Sequence, residues 1–193
     1  MAEAVDRPAY RHSSGPIRWA IGQSLPIVVF GHSRGGITTL LTAAEPDVQP
    51  QLTAVITAAA RACSRLDADQ VELLKRVRRL PSPSSRTGQT LYIGRIWQDE
   101  IDADPTWHNP CRAIAEINCP TLLIHGTDDT TVPLGEAREL HFAKPDAQLH
   151  IIKGAGHTFN APNPLPLDQT PPPETRQMID AVCGFAMGHC VKK

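Results

Sequence analysis

Pro26-Ile27-Val28-Val29-Phe30-Gly31-His32-Ser33-Arg34-Gly35-Gly36 is the stretch whose reading decides the fold. Residues 26–30 are a continuous, β-branched apolar run, the pattern of a strand buried on both faces. Gly35 and Gly36 lead into Ile37, Leu40, Leu41 and Ala44, whose i, i+3, i+4, i+7 spacing makes one helical stripe, and Pro46 lies just past its end. Between strand and helix sits Gly31-His32-Ser33-Arg34-Gly35, a G-x-S-x-G pattern. At the end of a buried strand this pattern makes a strained turn whose glycines allow close packing and push the Ser33 Oγ out of the sheet edge. The helix N-terminus that follows favours negative charge beside it. Alone the pattern recurs by chance; the strand before it and the amphipathic helix after it give it weight.

Working outward, Leu52–Thr57 reads as a second buried strand, Thr121–His125 as a third, opened by Pro120 and closed by Gly126, and Leu149–Ile152 as a fourth. Residues 134–143 have a helical pattern, and a proline-rich loop (Pro162 to Pro173) precedes a last helix with Met178, Val182 and Phe185 on one face. A short helix around Trp19, from Ile17 to Ile21, is expected in the polar opening segment. Strands alternating with helices imply an α/β architecture with a mostly parallel sheet and right-handed crossovers. Between residues 61 and 118 the pattern changes. Asp67 with Gln70 resembles a capping box, continued as a helix by Leu73, Val77 and Leu80, with Lys75, Arg76, Arg78 and Arg79 on a solvated outer face. Pro81-Ser82-Pro83-Ser84-Ser85 and Gly88 read as a loop, and Tyr92, Trp97 and Trp107 fall in a stretch without a clear period.

Composition narrows the class. The chain has 193 residues, a formal net charge of −1 and 41% hydrophobic residues, which suits one domain that buries roughly 70% of its unfolded surface. Balanced charge argues against nucleic acid or an anionic membrane as partner. No apolar run approaches the roughly 20 residues of a membrane span, and the acidic start Met1-Ala2-Glu3 has no signal-peptide character. Five scattered cysteines without a C-x-x-C pair suggest neither a disulfide framework nor a zinc knuckle; Cys111, Cys119 and His125 lack metal-ligand spacing. The expected compartment is a reducing cytoplasm.

Two further motifs follow strands. His125-Gly126-Thr127-Asp128-Asp129-Thr130-Thr131-Val132-Pro133 offers a carboxylate that can accept the Nδ1–H of a histidine and fix its tautomer, although paired aspartates after a glycine also suit a plain turn. Gly154-Ala155-Gly156-His157-Thr158-Phe159 puts a histidine on a glycine-flanked loop, where a general base can reach a serine from another strand. Nucleophile, then acid, then base, each after its own strand, is a recognised chain order. Parallel strands bring the three loops to one edge of the sheet.

GHSRGG, IHGTDDTTVP and GAGHTF together resemble the α/β-hydrolase superfamily, in particular its dienelactone-hydrolase-like and acyl-peptidase-like branch; SRTGQT at Ser85–Thr90 is similar to a stretch of bacterial members. The likeness covers roughly residues 26–190. It implies an α/β-hydrolase fold, with Ser33 as nucleophile, Asp129 as acid, His157 as base and the Arg34 backbone N–H as one oxyanion donor. Asp129 is preferred to Asp128 by the family spacing H-G-x-x-D-x-x-V-P. The implied reaction is hydrolysis of a carboxylic ester or related acyl bond of a small molecule through an acyl-enzyme, with no metal or organic cofactor. The chain reads as a single domain over 1–193, the C-terminal two-thirds of the fold, with a cap-like insertion at about 61–118.

The sequence departs from the family before Ser33, which only 32 residues precede. The first strands, and the loop that carries a second oxyanion donor, have no candidate, so an N-terminally truncated hydrolase is expected. Its first strand would present an apolar edge open to homodimerisation. The rival readings are a catalytically impaired fragment or pseudo-hydrolase serving as an interaction module, and a peptidase or thioesterase with the same triad. His32 is expected to pack, with a substrate contact as the alternative, Arg34 to pair in a salt bridge or meet an anionic substrate group, and His125 to be a hydrogen-bonded core histidine. Tyr92, Trp97, Trp107 and Phe159 are candidates either for core or for an acyl pocket.

Overall fold

The computed structural model describes residues 25–64, 66–83, 88–166 and 168–190. The expected helix at 17–21 and part of the Ser85–Thr90 stretch lie outside them. Four parallel strands form the main sheet: β1 (Ile27–His32), β2 (Leu52–Ala58), β5 (Thr121–Gly126) and β6 (Gln148–Ile152), in the spatial order β1-β2-β5-β6. Parallel neighbours need a crossover between them. Helix α1 (Arg34–Ala43) supplies the one between β1 and β2, and α5 (Leu134–Ala143) the one between β5 and β6; α6 (Pro173–Cys190) closes the chain.

The apolar runs are continuous because both faces of the sheet are covered. Val55 and Leu123 turn to one face, where they pack with Leu40 and Leu41 of α1 and Leu140 of α5. Their neighbours Ala54, Ile56, Leu122 and Ile124 turn to the other and meet Met178, Val182 and Phe185 of α6. The alternation follows the period of two along a strand. Among the described residues β1 is paired on one side only, and Phe30 is 46% exposed.

The crossover from β2 to β5 carries most of residues 61–118. It contains α2 (Ala68–Val77), an antiparallel pair of β3 (Arg79–Pro83) and β4 (Thr90–Gly94), then α3 (Arg95–Ala103) and α4 (Pro110–Glu116). The capping box is present: Asp67 Oδ1 accepts the Gln70 N–H at 2.8 Å, and Gln70 Oε1 the Asp67 N–H at 3.3 Å. The expected continuation through Leu80 is corrected. The helix stops at Val77 because Arg78 takes the left-handed conformation at φ 60°, and Leu80 is buried from β3 instead. The Pro81-Ser82-Pro83 segment is likewise strand rather than loop, pairing Pro81 with Tyr92 and Pro83 with Thr90; an edge strand tolerates the prolines that a central one would not. Lys75, Arg76, Arg78 and Arg79 are exposed, as the sequence suggests.

Candidate active site

Three loops leave the C-terminal edge of the sheet from β1, β5 and β6. The first is the sharpest. Ser33 stands at φ 56°, ψ −122°, a conformation that L-residues avoid and that a fold keeps only where its surroundings impose it. Its N–H is tied to the Ala58 carbonyl at 2.8 Å, and its own carbonyl takes the Gly36 N–H at 2.9 Å. The turn is steep enough that a Cβ on Gly31 would collide with the Gly35 carbonyl and Thr39 Oγ1, and one on Gly36 would lie 2.6 Å from the Ala60 Cβ. Gly35, the last glycine of the motif, has open space where its Cβ would be.

The second loop aims Asp129. The acid is buried, and its Oδ1 accepts two main-chain N–H groups, from Thr131 at 2.9 Å and Val132 at 2.8 Å. That fixes the carboxylate plane and leaves Oδ2 for other donors. Asp128 next to it is exposed and takes the Thr127 hydroxyl at 2.7 Å. His125 is fully buried; its Nε2–H donates to the Val132 carbonyl at 2.8 Å and passes 3.5 Å from Asp129 Oδ2. It is thus the hydrogen-bonded core histidine expected, and it also props the acid loop.

The third loop is laced to the second. Thr127 N–H donates to the Ile152 carbonyl, Asp128 N–H to the Ala155 carbonyl, both at 3.0 Å, and Gly154 N–H to Thr127 Oγ1 at 2.8 Å. The approach is so close that a Cβ on Gly126 would overlap the Ala155 carbonyl. His157 emerges from this lacing, its side chain 20% exposed. Its Nδ1 lies 2.9 Å from Asp129 Oδ2 and its Nε2 2.9 Å from Ser33 Oγ. A carboxylate only accepts, so Nδ1 carries the hydrogen and Nε2 is left to accept the serine proton. This is the arrangement of a hydroxyl, a base and a group orienting the base.

The chain belongs to the alpha/beta hydrolase family. The family's sequence profile matches residues 3–170, and the solved structures it resembles share the same fold. The esterase domain of a Rhodothermus marinus protein superposes with a TM-score of 0.64 at 19% identity, over 94% of this chain and 70% of that one. A monoglyceride lipase of Saccharomyces cerevisiae, in complex with a substrate analogue, gives 0.69 at 15% identity, over 95% and 69%. Among curated relatives, RutD of Pseudomonas savastanoi pv. phaseolicola, named for carbamate hydrolysis, is 40% identical over 58 residues, 30% of this chain and only 22% of that protein.

Other expectations resolve differently. His32 does more than pack: its Nε2 lies 2.7 Å from the His157 carbonyl and its ring 5.0 Å from the His157 ring. Arg34 is exposed at the first turn of α1, with no ion pair to its side chain among the described residues. Its N–H is among those that a helix start leaves without an intrahelical partner. Of the aromatic candidates, Trp107 packs against the core and donates from Nε1 to Glu45, Phe159 is buried beneath α6, and Tyr92 is exposed under the Arg79 guanidinium. Burial pushes the Cys111 thiol up to about 11 and raises that of Cys119. Among the described residues no helix is long and apolar enough to cross a membrane.

Proposed function

We propose that this chain is a serine hydrolase that cleaves carboxylic esters or related acyl bonds, with Ser33 as nucleophile, His157 as general base and Asp129 as the group that orients it. The observation that carries this reading is the unbroken chain of 2.9 Å contacts from Ser33 Oγ through both nitrogens of His157 to Asp129 Oδ2. His157 Nε2 takes the hydroxyl proton as Oγ attacks the substrate carbonyl; the tetrahedral oxyanion is stabilised by the Arg34 N–H at the start of α1. The imidazolium returns its proton to the leaving group, and the acyl-enzyme forms. Water, deprotonated by the same imidazole, then releases the acid and restores Ser33. The side chains that frame the substrate come from the crossover over residues 61–118, which we read as a cap. The motifs quoted from the sequence favour the dienelactone-hydrolase-like branch, while the RutD likeness makes a carbamate a substrate worth including.

The test is intact-mass detection of covalent labelling by a fluorophosphonate, on the wild-type chain and on Ser33→Ala. A single adduct on the wild type that the variant lacks is expected. A folded wild type that takes no adduct overturns the reading and favours an interaction module in its place. Turnover of an ester, a thioester, a carbamate and a peptide anilide side by side then assigns the acyl class.

A further inference from the structure

Two consecutive residues just beyond His157 stand in the left-handed region, Phe159 at φ 54° and Asn160 at φ 62°. Residues with a Cβ avoid that region, and they remain there only where contacts over-determine the chain. For Phe159 the contacts are plain: its ring is buried against the sheet and α6, its N–H donates to the Gly156 carbonyl at 3.0 Å, and its carbonyl accepts the buried Thr175 hydroxyl at 2.6 Å. Asn160 is exposed, yet its carboxamide folds back across the loop. Its Oδ1 accepts the Gly156 N–H at 2.9 Å and its Nδ2 donates to the Gly154 carbonyl at 3.0 Å. A Cβ on Gly156 would meet that Oδ1 at van der Waals distance, 3.4 Å. The Asn160 side chain, following His157, is thereby tied to the two glycines that precede it, bridging the short turn that delivers His157.

We infer that Asn160 is a positioning residue: its carboxamide sets the path of the 154–160 loop and so the aim of the His157 ring between Asp129 and Ser33. The inference rests on the proposed roles of those three residues. Asn160 touches none of the reacting atoms, and it acts by keeping the imidazole from drifting. Misplacement of a catalytic group by about 1 Å costs up to about 10²-fold in rate.

Asn160→Gly separates this role from a merely conformational one, because glycine accepts φ 62° more readily than asparagine while losing both bonds. The expected result is a kcat for ester turnover lowered about 10–100-fold, with KM held within about two-fold. The second reading is spectroscopic and independent of turnover. The Nδ1 proton of His157, held against Asp129, is expected to give a far-downfield proton resonance in the wild type that broadens or is lost in Asn160→Gly. An unchanged resonance with unchanged kcat overturns the inference. A wild type that hydrolyses nothing, but shows the resonance and loses it on substitution, overturns the proposed function and leaves the positioning role standing. Should Asn160→Gly fail to fold, Asn160→Asp keeps the Gly156 bond, loses the one to Gly154, and serves in the same two measurements.

Discussion

The Nε2–H of His32 donates to the main-chain carbonyl of His157 at 2.7 Å, across 125 positions of sequence. A carbonyl only accepts, so the tautomer is fixed, and the residue before Ser33 holds the backbone of the residue that faces Ser33. Removing the donor loses a part-buried hydrogen bond, at a net cost of about 0.5–1.5 kcal/mol. His32→Ala is expected to lower the unfolding midpoint and to reduce kcat/KM for an ester. His32→Gln, which carries a donor at similar reach, recovers part of both. Denaturant titration and steady-state kinetics on the two variants check this; equal losses in both would remove the hydrogen bond as the cause.

The two adjacent aspartates are expected to behave very differently. Asp129→Asn keeps the size of the side chain but turns a donor, or a weaker acceptor, toward His157 Nδ1, disturbing the tautomer that leaves Nε2 free. In hydrolases with this arrangement such a change costs about 10⁴-fold in kcat, and a loss of that order is predicted. Among the described residues the Asp128 side chain bonds only the Thr127 hydroxyl, and Asp128→Asn is predicted to stay within about three-fold of the wild type, as surface substitutions away from special features usually do. Kinetics on both variants decide between the two positions.

The four main-sheet strands and the three loops were legible because their signals are local. An apolar β-branched run names a buried strand, and a glycine-flanked serine or histidine at its end names an exposed turn. The middle of the chain was not, for two physical reasons. The end of α2 is set by one left-handed residue, Arg78, an arginine where glycine is the usual marker. The pairing of β3 with β4 depends on partners that no period in either segment announces. In the site, Ser33, Asp129 and His157 were readable, whereas the bonds of His32, Asn160 and Thr175 were not. Each of these is a contact between a side chain and main chain whose partner is chosen by the fold, and only the adjacency of His32 to Ser33 gave any hint.

The glycines of the elbow carry unequal constraints. The motif as written emphasises Gly35, but there the missing Cβ faces open space, whereas at Gly36 it would strike Ala60. Gly35→Ala is expected to leave the unfolding midpoint unchanged or raise it, since alanine is favoured over glycine in a helix by up to about 1 kcal/mol. Gly36→Ala is expected to destabilise by about 1–3 kcal/mol through overpacking. Thermal unfolding of the pair distinguishes steric need from sequence habit.

Burial makes Cys111 a poor nucleophile. With its pKa pushed up to about 11, about one thiol in a thousand is ionised at pH 8, and the thiolate is the reactive form. Its Sγ also lies against the Ala62 carbonyl at 3.6 Å. Cys63 and Cys183 are exposed and Cys111 half-buried, so a maleimide added to the native chain is expected to modify the first two well before Cys111. Peptide mapping after brief labelling reads the order directly, and early modification of Cys111 would contradict the placement of its Sγ against the Ala62 carbonyl.

Lys144, just past the end of α5, is a buried cation. The side chain is 8% exposed, and its Nζ donates to the Ile117 carbonyl at 2.8 Å and to Asp146 Oδ2 at 3.0 Å. The hydrogen bond from Lys144 holds the Asp146 carboxyl below its ordinary value. A carboxyl depressed in the folded state stabilises the protein at pH above its unfolded value, and that contribution is lost as pH falls through the folded one. Asp146→Asn is therefore expected to lower the unfolding midpoint at neutral pH. The gap to the wild type should close on acidification through and below the ordinary carboxylate range, where the wild type has lost its charge as well. Asp146 is solvent-exposed, so added salt should narrow the gap at neutral pH too. A gap that persisted unchanged in acid would mean that the substitution acts through packing or the local turn, and not through the charge on Lys144.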